Sequence, residues 1–142
     1  MGLIRTEIEL AKAADIANAD EGIIDASQIR KVTVTALVDT GASMLVINEQ
    51  VAQQLGLTIK DKTEIILADG SLKTAGIVYG VQVRFKTRRT TVDAIVVPGK
   101  AEVLLGAIPL EGMDVLIDME KDEMRLPPDR PYLKEMVLKG LS

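Results

Sequence analysis

Leu37-Val38-Asp39-Thr40-Gly41-Ala42-Ser43 is the stretch on which the reading of this 142-residue chain turns. Upstream of it, Val32, Val34, Ala36 and Val38 alternate with Thr33, Thr35 and Leu37, the period-two pattern of a β-branched strand with one buried face. The strand stops abruptly at Asp39-Thr40-Gly41. Taken alone, an Asp-x-Gly tripeptide is ordinary turn chemistry and needs no further explanation. Its placement adds something. A carboxylate directly after a buried strand is partly desolvated, Thr40 has a hydroxyl to orient it, and Gly41 lets backbone amides approach closely.

Working outward, Met44 to Ile47 forms a short apolar strand, and Asn48 is an N-cap for a helix through Leu55 that Gly56 ends. Val51, Ala52 and Leu55 share one face of that helix. Ile65 to Ala68 reads as a strand running into the hairpin signal Asp69-Gly70-Ser71. From Ala75 the odd positions Ile77, Tyr79, Val81, Val83 and Phe85 are apolar and mark a long strand. The basic cluster Lys86, Arg88 and Arg89 is expected at the following turn, before a strand from Thr91 to Val97 that Pro98-Gly99 closes. Val103-Leu104-Leu105 is a short buried strand ending at Gly106, Pro109 to Gly112 a helical turn, and Val115–Asp118 with Met124–Leu126 a hairpin turning at Lys121 and Asp122.

The first thirty residues leave two readings open: a strand around Ile4 and Ile8 running into a loop, or a short helix. After Pro127-Pro128, the spacing of Tyr132, Leu133, Met136, Val137 and Leu138 suits an amphipathic turn that covers its own barrel or joins an interface. No repeat or low-complexity segment interrupts the chain. The expectation is a single mainly β domain over 1–142, with a core of about 30–126, one short helix, and extensions at 1–29 and 127–142.

Composition narrows the chemistry. With 47% hydrophobic residues the chain has the means to bury a core. It contains no histidine, cysteine or tryptophan. Those zeros exclude Ser-His-Asp and Cys-His nucleophilic catalysis, disulfides, haem attachment and the usual zinc sites, so an enzyme here works through carboxylates. A net charge of −4 and only three aromatics argue against nucleic acid as a partner, and no apolar run approaches the length of a membrane span. A cytoplasmic location is the default, and neither metal nor cofactor is expected.

The order of these segments closely resembles the retropepsin-like aspartic proteases. The motif Asp39-Thr40-Gly41-Ala42-Ser43 leads into a strand and a helix ending Leu55-Gly56-Leu57. Ala68-Asp69-Gly70-Ser71 and Gly76 lie where that family carries its flap hairpin. Leu104-Leu105-Gly106 resembles its second signature, and Leu110 with Met113 to Asp118 and Leu126 its closing helical turn and hairpin. The resemblance implies a closed β-barrel of the acid-protease type, a half-site monomer that forms a two-fold homodimer. It implies Asp39 as the catalytic residue, Thr40, Gly41 and Ala42 as its support, and Asp69, Gly70, Ser71 and Gly76 as flap residues over an extended peptide. The chain gives its own reason for a dimer. It holds one Asp-Thr-Gly, whereas this chemistry needs two carboxylates sharing a proton. Where some relatives carry a hydroxyl, Ala42 has none, which implies an activity optimum at mildly acidic pH. The segment Ser71 to Ala75 is less glycine-rich than viral flaps, and Ala107 stands where many relatives place a polar residue.

The competing reading is a noncatalytic peptide-binding or dimerisation module with the same fold. Other constellations are weaker. Ser71-x-Lys73 has the spacing of a serine-lysine pair but sits in a hairpin, where a solvated face is the ordinary explanation. Asp118, Glu120, Asp122 and Glu123 lack the glycine and the final glutamate of a calcium loop. Gly76 and Gly80 have no phosphate-loop context and ease strand bending.

Overall fold

A computed structural model describes residues 3–130; the apolar segment Tyr132 to Leu138 lies outside the described residues. In chain order the elements are β1 (Arg5–Lys12), α1 (Ala13–Asp20), a 3-10 turn (Ala26–Gln28), β2 (Lys31–Val38), β3 (Leu45–Asn48) and α2 (Glu49–Gln54). Then come β4 (Asp61–Ile66), β5 (Leu72–Phe85), β6 (Arg88–Val97), β7 (Val103–Leu105), α3 (Ala107–Met113), β8 (Leu116–Asp118) and β9 (Glu123–Arg125). The opening stretch is thus both a strand and a helix, and the single expected helix is joined by α1 and α3.

Six strands close a barrel in the order β1-β2-β7-β3-β6-β5, and β1 pairs with β5 to seal it. In that closing pair Leu10 stands opposite Val83, while on its other side Leu10 faces Val32 of β2. The barrel therefore begins well before residue 30. β4 pairs only with β5 and projects beyond the barrel with it as a hairpin arm, and β8 with β9 forms a separate two-stranded ribbon. Ile8, Leu10, Leu45, Ile47, Val81, Val83 and Leu105 fill the interior, all at 2% exposure or less. Each such side chain contributes about 1.5–3 kcal/mol of burial. Leu55, from the turn after α2, and Met113 of α3 join the same core.

The sequence alternation in β5 misleads at one point. Val81, Val83 and Phe85 are buried as the odd-position pattern predicts, but Tyr79 is 48% exposed and Val78 is buried instead. A bulge between Val78 and Val81 shifts the register against β6, and Gly80 takes the positive φ of +78° that it requires. Just beyond the bulge, Val78 and Gly76 are buried, Ile77 is half-buried and Tyr79 is exposed.

The basic cluster is also not simply a turn. Lys86 and Thr87 make the turn, but Arg88 opens β6 and is 2% exposed. Its Nη1 donates to the carbonyls of Met113 and Asp114, at 3.0 and 2.9 Å, and to the Asp114 carboxylate. Arg130 closes on the same carboxylate, its Nε 2.7 Å from Oδ2. The two guanidiniums, Arg130 foremost, hold the Asp114 carboxyl down at about 2. This network ties the end of α3 to the barrel.

Candidate functional site

The Asp39 turn grows directly out of barrel pairing. β2 runs parallel to β7, and the ladder carries on one residue past the strand, where the Asp39 N–H donates to the Leu105 carbonyl at 3.0 Å. Asp39 is half-buried there. Its Oδ1 accepts the Gly41 N–H at 3.0 Å, and its carbonyl accepts the Ala42 N–H at 3.1 Å. Among the described residues the Thr40 hydroxyl makes no hydrogen bond to this carboxylate. The backbone at Gly41 orients it instead, and a Cβ there would lie 3.3 Å from Oδ1.

A second layer holds the loop from behind. Ala107 N–H donates to the Ala42 carbonyl and Ile108 N–H to the Ser43 carbonyl, each at 2.8 Å. This brings Gly106 against the loop so closely that a Cβ would lie 2.3 Å from the Met44 carbonyl oxygen and 2.8 Å from that of Ala42. Only glycine fits between these backbones. The Leu104-Leu105-Gly106 run is thereby explained residue by residue: Leu104 faces out, Leu105 is fully buried in the core, and Gly106 allows the close approach.

Asp39 opens onto a cleft of about 970 Å³. Its floor is one face of three adjacent strands, where Val46 stands opposite both Ile95 and Leu104. Its roof is the β4–β5 arm, through Ile65, Leu67, Ala68 and Lys73. The tip of that arm is a self-contained turn. Asp69 Oδ1 accepts the Ser71 N–H at 2.9 Å and the Ser71 hydroxyl at 2.6 Å, while Gly70 adopts φ +84°. Bonding from Ser71 holds the Asp69 carboxyl below its ordinary range.

A carboxylate at a strand end, a cleft beside it and a hairpin above it have known counterparts. The profile of the gag-polyprotein putative aspartyl protease family matches residues 26–116, well over half of the chain. The chain belongs to that family. Among solved structures, this retropepsin-like domain is similar to the retroviral protease-like domain of Ddi1 from Leishmania major, with a TM-score of 0.55 at 14% identity. That match covers 89% of this chain and 91% of the other. It is also similar to EIAV protease, solved with the inhibitor HBY-793, with a TM-score of 0.50 at 17% identity over 74% of this chain and 82% of that one. At such identities the likeness is one of fold. No curated protein matches the chain by sequence.

Within the retropepsin-like domain, Asp39, Gly41, Ala42 and Leu104 converge on the cleft, and Thr40 is exposed beside it. Asp69, Gly70 and Ser71 lie at the tip of the arm, outside the lining. Gly76 sits in the wall of the barrel, where a Cβ would press to 2.7 Å from the Ile59 side chain. Ser71 Oγ is bonded to Asp69 rather than to Lys73. Three charged residues also line the cleft: Glu64 and Glu102, which the sequence did not single out, and Lys73, which it offered only within Ser71-x-Lys73. Glu102 is paired with Arg5, whose Nε lies 2.5 Å from Oε1. The register of β4 against β5, which sets Lys73 opposite Ile65, is the signal that locates Lys73. Among the described residues, no group of three or more histidine, cysteine or acidic side chains is placed to hold a metal, and no helix is long and apolar enough to cross a membrane.

Proposed function

We propose that this chain is one half of an aspartic endopeptidase and that its active site forms when two copies meet about a two-fold axis. The observation that carries the reading is the half-buried Asp39 carboxylate, oriented by the Gly41 amide at the mouth of a roofed cleft. One such carboxylate per chain supports the pairing, because the chemistry takes two. So does the surface around the motif. Ile4 accepts the Val38 N–H just before Asp39, and its neighbour Leu3 is 67% exposed; Ile108, bonded to Ser43, is 52% exposed. Apolar side chains bordering the motif suit a self-complementary contact.

In the dimer, one Asp39 is ionised and takes a proton from a water held between the two carboxylates. That water attacks the peptide carbonyl while the protonated partner carboxyl donates to the carbonyl oxygen. The tetrahedral diol then collapses, the amide nitrogen takes up a proton, and the C–N bond breaks. No covalent intermediate is needed, in keeping with a chain that lacks histidine and cysteine. Thr40, exposed beside Asp39, braces the paired turns, and the arm from β4 to β5 closes over an extended peptide. The cysteine-free composition accords with a cytoplasmic setting.

The test is digestion of a diverse peptide mixture by the wild type and by Asp39→Asn, read by mass spectrometry, with the mass of each measured by sedimentation. Wild-type cleavage that falls by roughly 10²- to 10⁴-fold in the variant, with the dimer retained, supports the reading. Equal cleavage by both overturns it. Peptide binding without cleavage by the wild type leaves a noncatalytic module of the same fold.

A further inference from the structure

The roof of the cleft carries a charge for which hydrolysis itself has no use. Lys73 stands directly opposite Ile65 in the β4–β5 ladder, and directly opposite residues of an antiparallel pair share a face. That face continues through Ala75 to Ile77, which pairs with Ile95 on the cleft floor. Lys73 accordingly lines the cleft, and among the described lining residues it is the single cation.

The carboxylates nearby leave it unneutralised. Glu102 is engaged by Arg5, Asp39 Oδ1 accepts the Gly41 amide, and Glu64, which also lines the cleft, stands opposite Thr74 in the ladder rather than opposite Lys73. None of the ion pairs among the described residues includes Lys73. When a peptide fills the cleft, water leaves an apolar wall, and an ammonium there gains more from an opposite charge than it does in open solvent.

We propose that Lys73 makes the cleft selective for peptides that carry a carboxylate side chain, Asp or Glu, within an otherwise apolar segment. This rests on the cleft being a peptide site, and not on its being catalytic. The probe is a set of fluorescein-labelled apolar nonapeptides with Glu, Gln or Lys walked along the sequence. Their binding is measured by fluorescence anisotropy to the full chain carrying Asp39→Asn, which leaves the peptide uncut.

Glu peptides are expected to bind about fivefold more tightly than their Gln isosteres at one or two neighbouring positions, with the advantage shrinking as salt is added. Lys73→Met removes that preference, and Lys73→Glu transfers it to the Lys peptides. Lys73 is exposed in the free protein, so both variants should keep the parent circular dichroism spectrum. Equal binding of Glu and Gln peptides at every position overturns the inference, as does a Glu advantage that survives Lys73→Met. Selective binding by a wild type that cleaves nothing removes the catalytic reading and leaves this one standing. Failure of every peptide to bind removes both.

Discussion

Replacing Gly106 by alanine tests whether the candidate site is supported from behind by backbone contact. The new Cβ would lie 2.3 Å from the Met44 carbonyl oxygen, 2.8 Å from that of Ala42 and 2.9 Å from the Ser43 carbonyl carbon. Ordinary contact begins at 3.4 Å, so the loop must withdraw by about 1 Å. No flexible side chain is available to give way. The same loop accepts hydrogen bonds from Ala107 and Ile108 at 2.8 Å, and a withdrawal of that size weakens both. Two hydrogen bonds at about 1 kcal/mol each, with about 1 kcal/mol for overpacking, predict a loss of about 3 kcal/mol. Urea unfolding of Gly106→Ala and wild type measures it, with the slope m unchanged if the denatured state is the same. Gly99→Ala is the control: its Cβ meets nothing within 4 Å and incurs only the strain of φ +73°, about 1–2 kcal/mol. Because the loop carries Asp39, peptide cleavage by Gly106→Ala should fall even where the protein is fully folded. A Gly106→Ala protein within 0.5 kcal/mol of wild type, and no less stable than Gly99→Ala, would refute the close-packed support.

The two leucines beside that glycine should separate stability from binding. Leu105→Ala, in the core at 0% exposure, should lose about 2–5 kcal/mol, whereas Leu104→Ala on the cleft floor should lose far less and weaken peptide binding more, as denaturation and anisotropy together would show. The Asp114 carboxyl, held at about 2 against an ordinary 3.8, favours the folded state whenever it is ionised. Its contribution, about 2 kcal/mol, is present above the unfolded-state value and disappears as pH falls from about 4 through 2. Urea midpoints measured down that range should drop for wild type and flatten for Asp114→Asn.

Much of the site was legible because its determinants are local. Strand alternation stops at Asp39, and the turn residues identify themselves. At α2, Asn48 caps as expected, its Oδ1 accepting the Val51 N–H at 2.9 Å, and Gly56 ends the segment at φ +62°. Other features depend on chain segments far apart in sequence. Arg88 looked like a surface turn residue, yet its burial is decided by the carbonyls of Met113 and Asp114, some 25 residues on. Thr40 was expected to orient Asp39 through its hydroxyl, but the shorter route through the Gly41 amide satisfies the same oxygen. Gly106 read as part of a signature. The reason it must be glycine lies in the loop at 42–44, which no pattern within 104–106 reveals. Tyr79 carried the right period for the core and sits outside it because one glycine changes the count.

That bulge at Gly80 sets more than the burial of one tyrosine. A ladder has only two phases, and a single extra residue inverts every side chain beyond it. With the present count, Lys73, Ala75 and Ile77 share one face of β5 and Leu72 and Thr74 the other, and of these five Lys73 lines the cleft. Losing one residue at the bulge would exchange the two sets at once and leave the barrel below it in step. What the roof offers a ligand is therefore written twice in this chain, once in the identities of the residues from 72 to 77 and once in the parity of the strand that carries them. Insertions and deletions at the bulge offer a route to new ligand preference that leaves every residue around Asp39 unaltered.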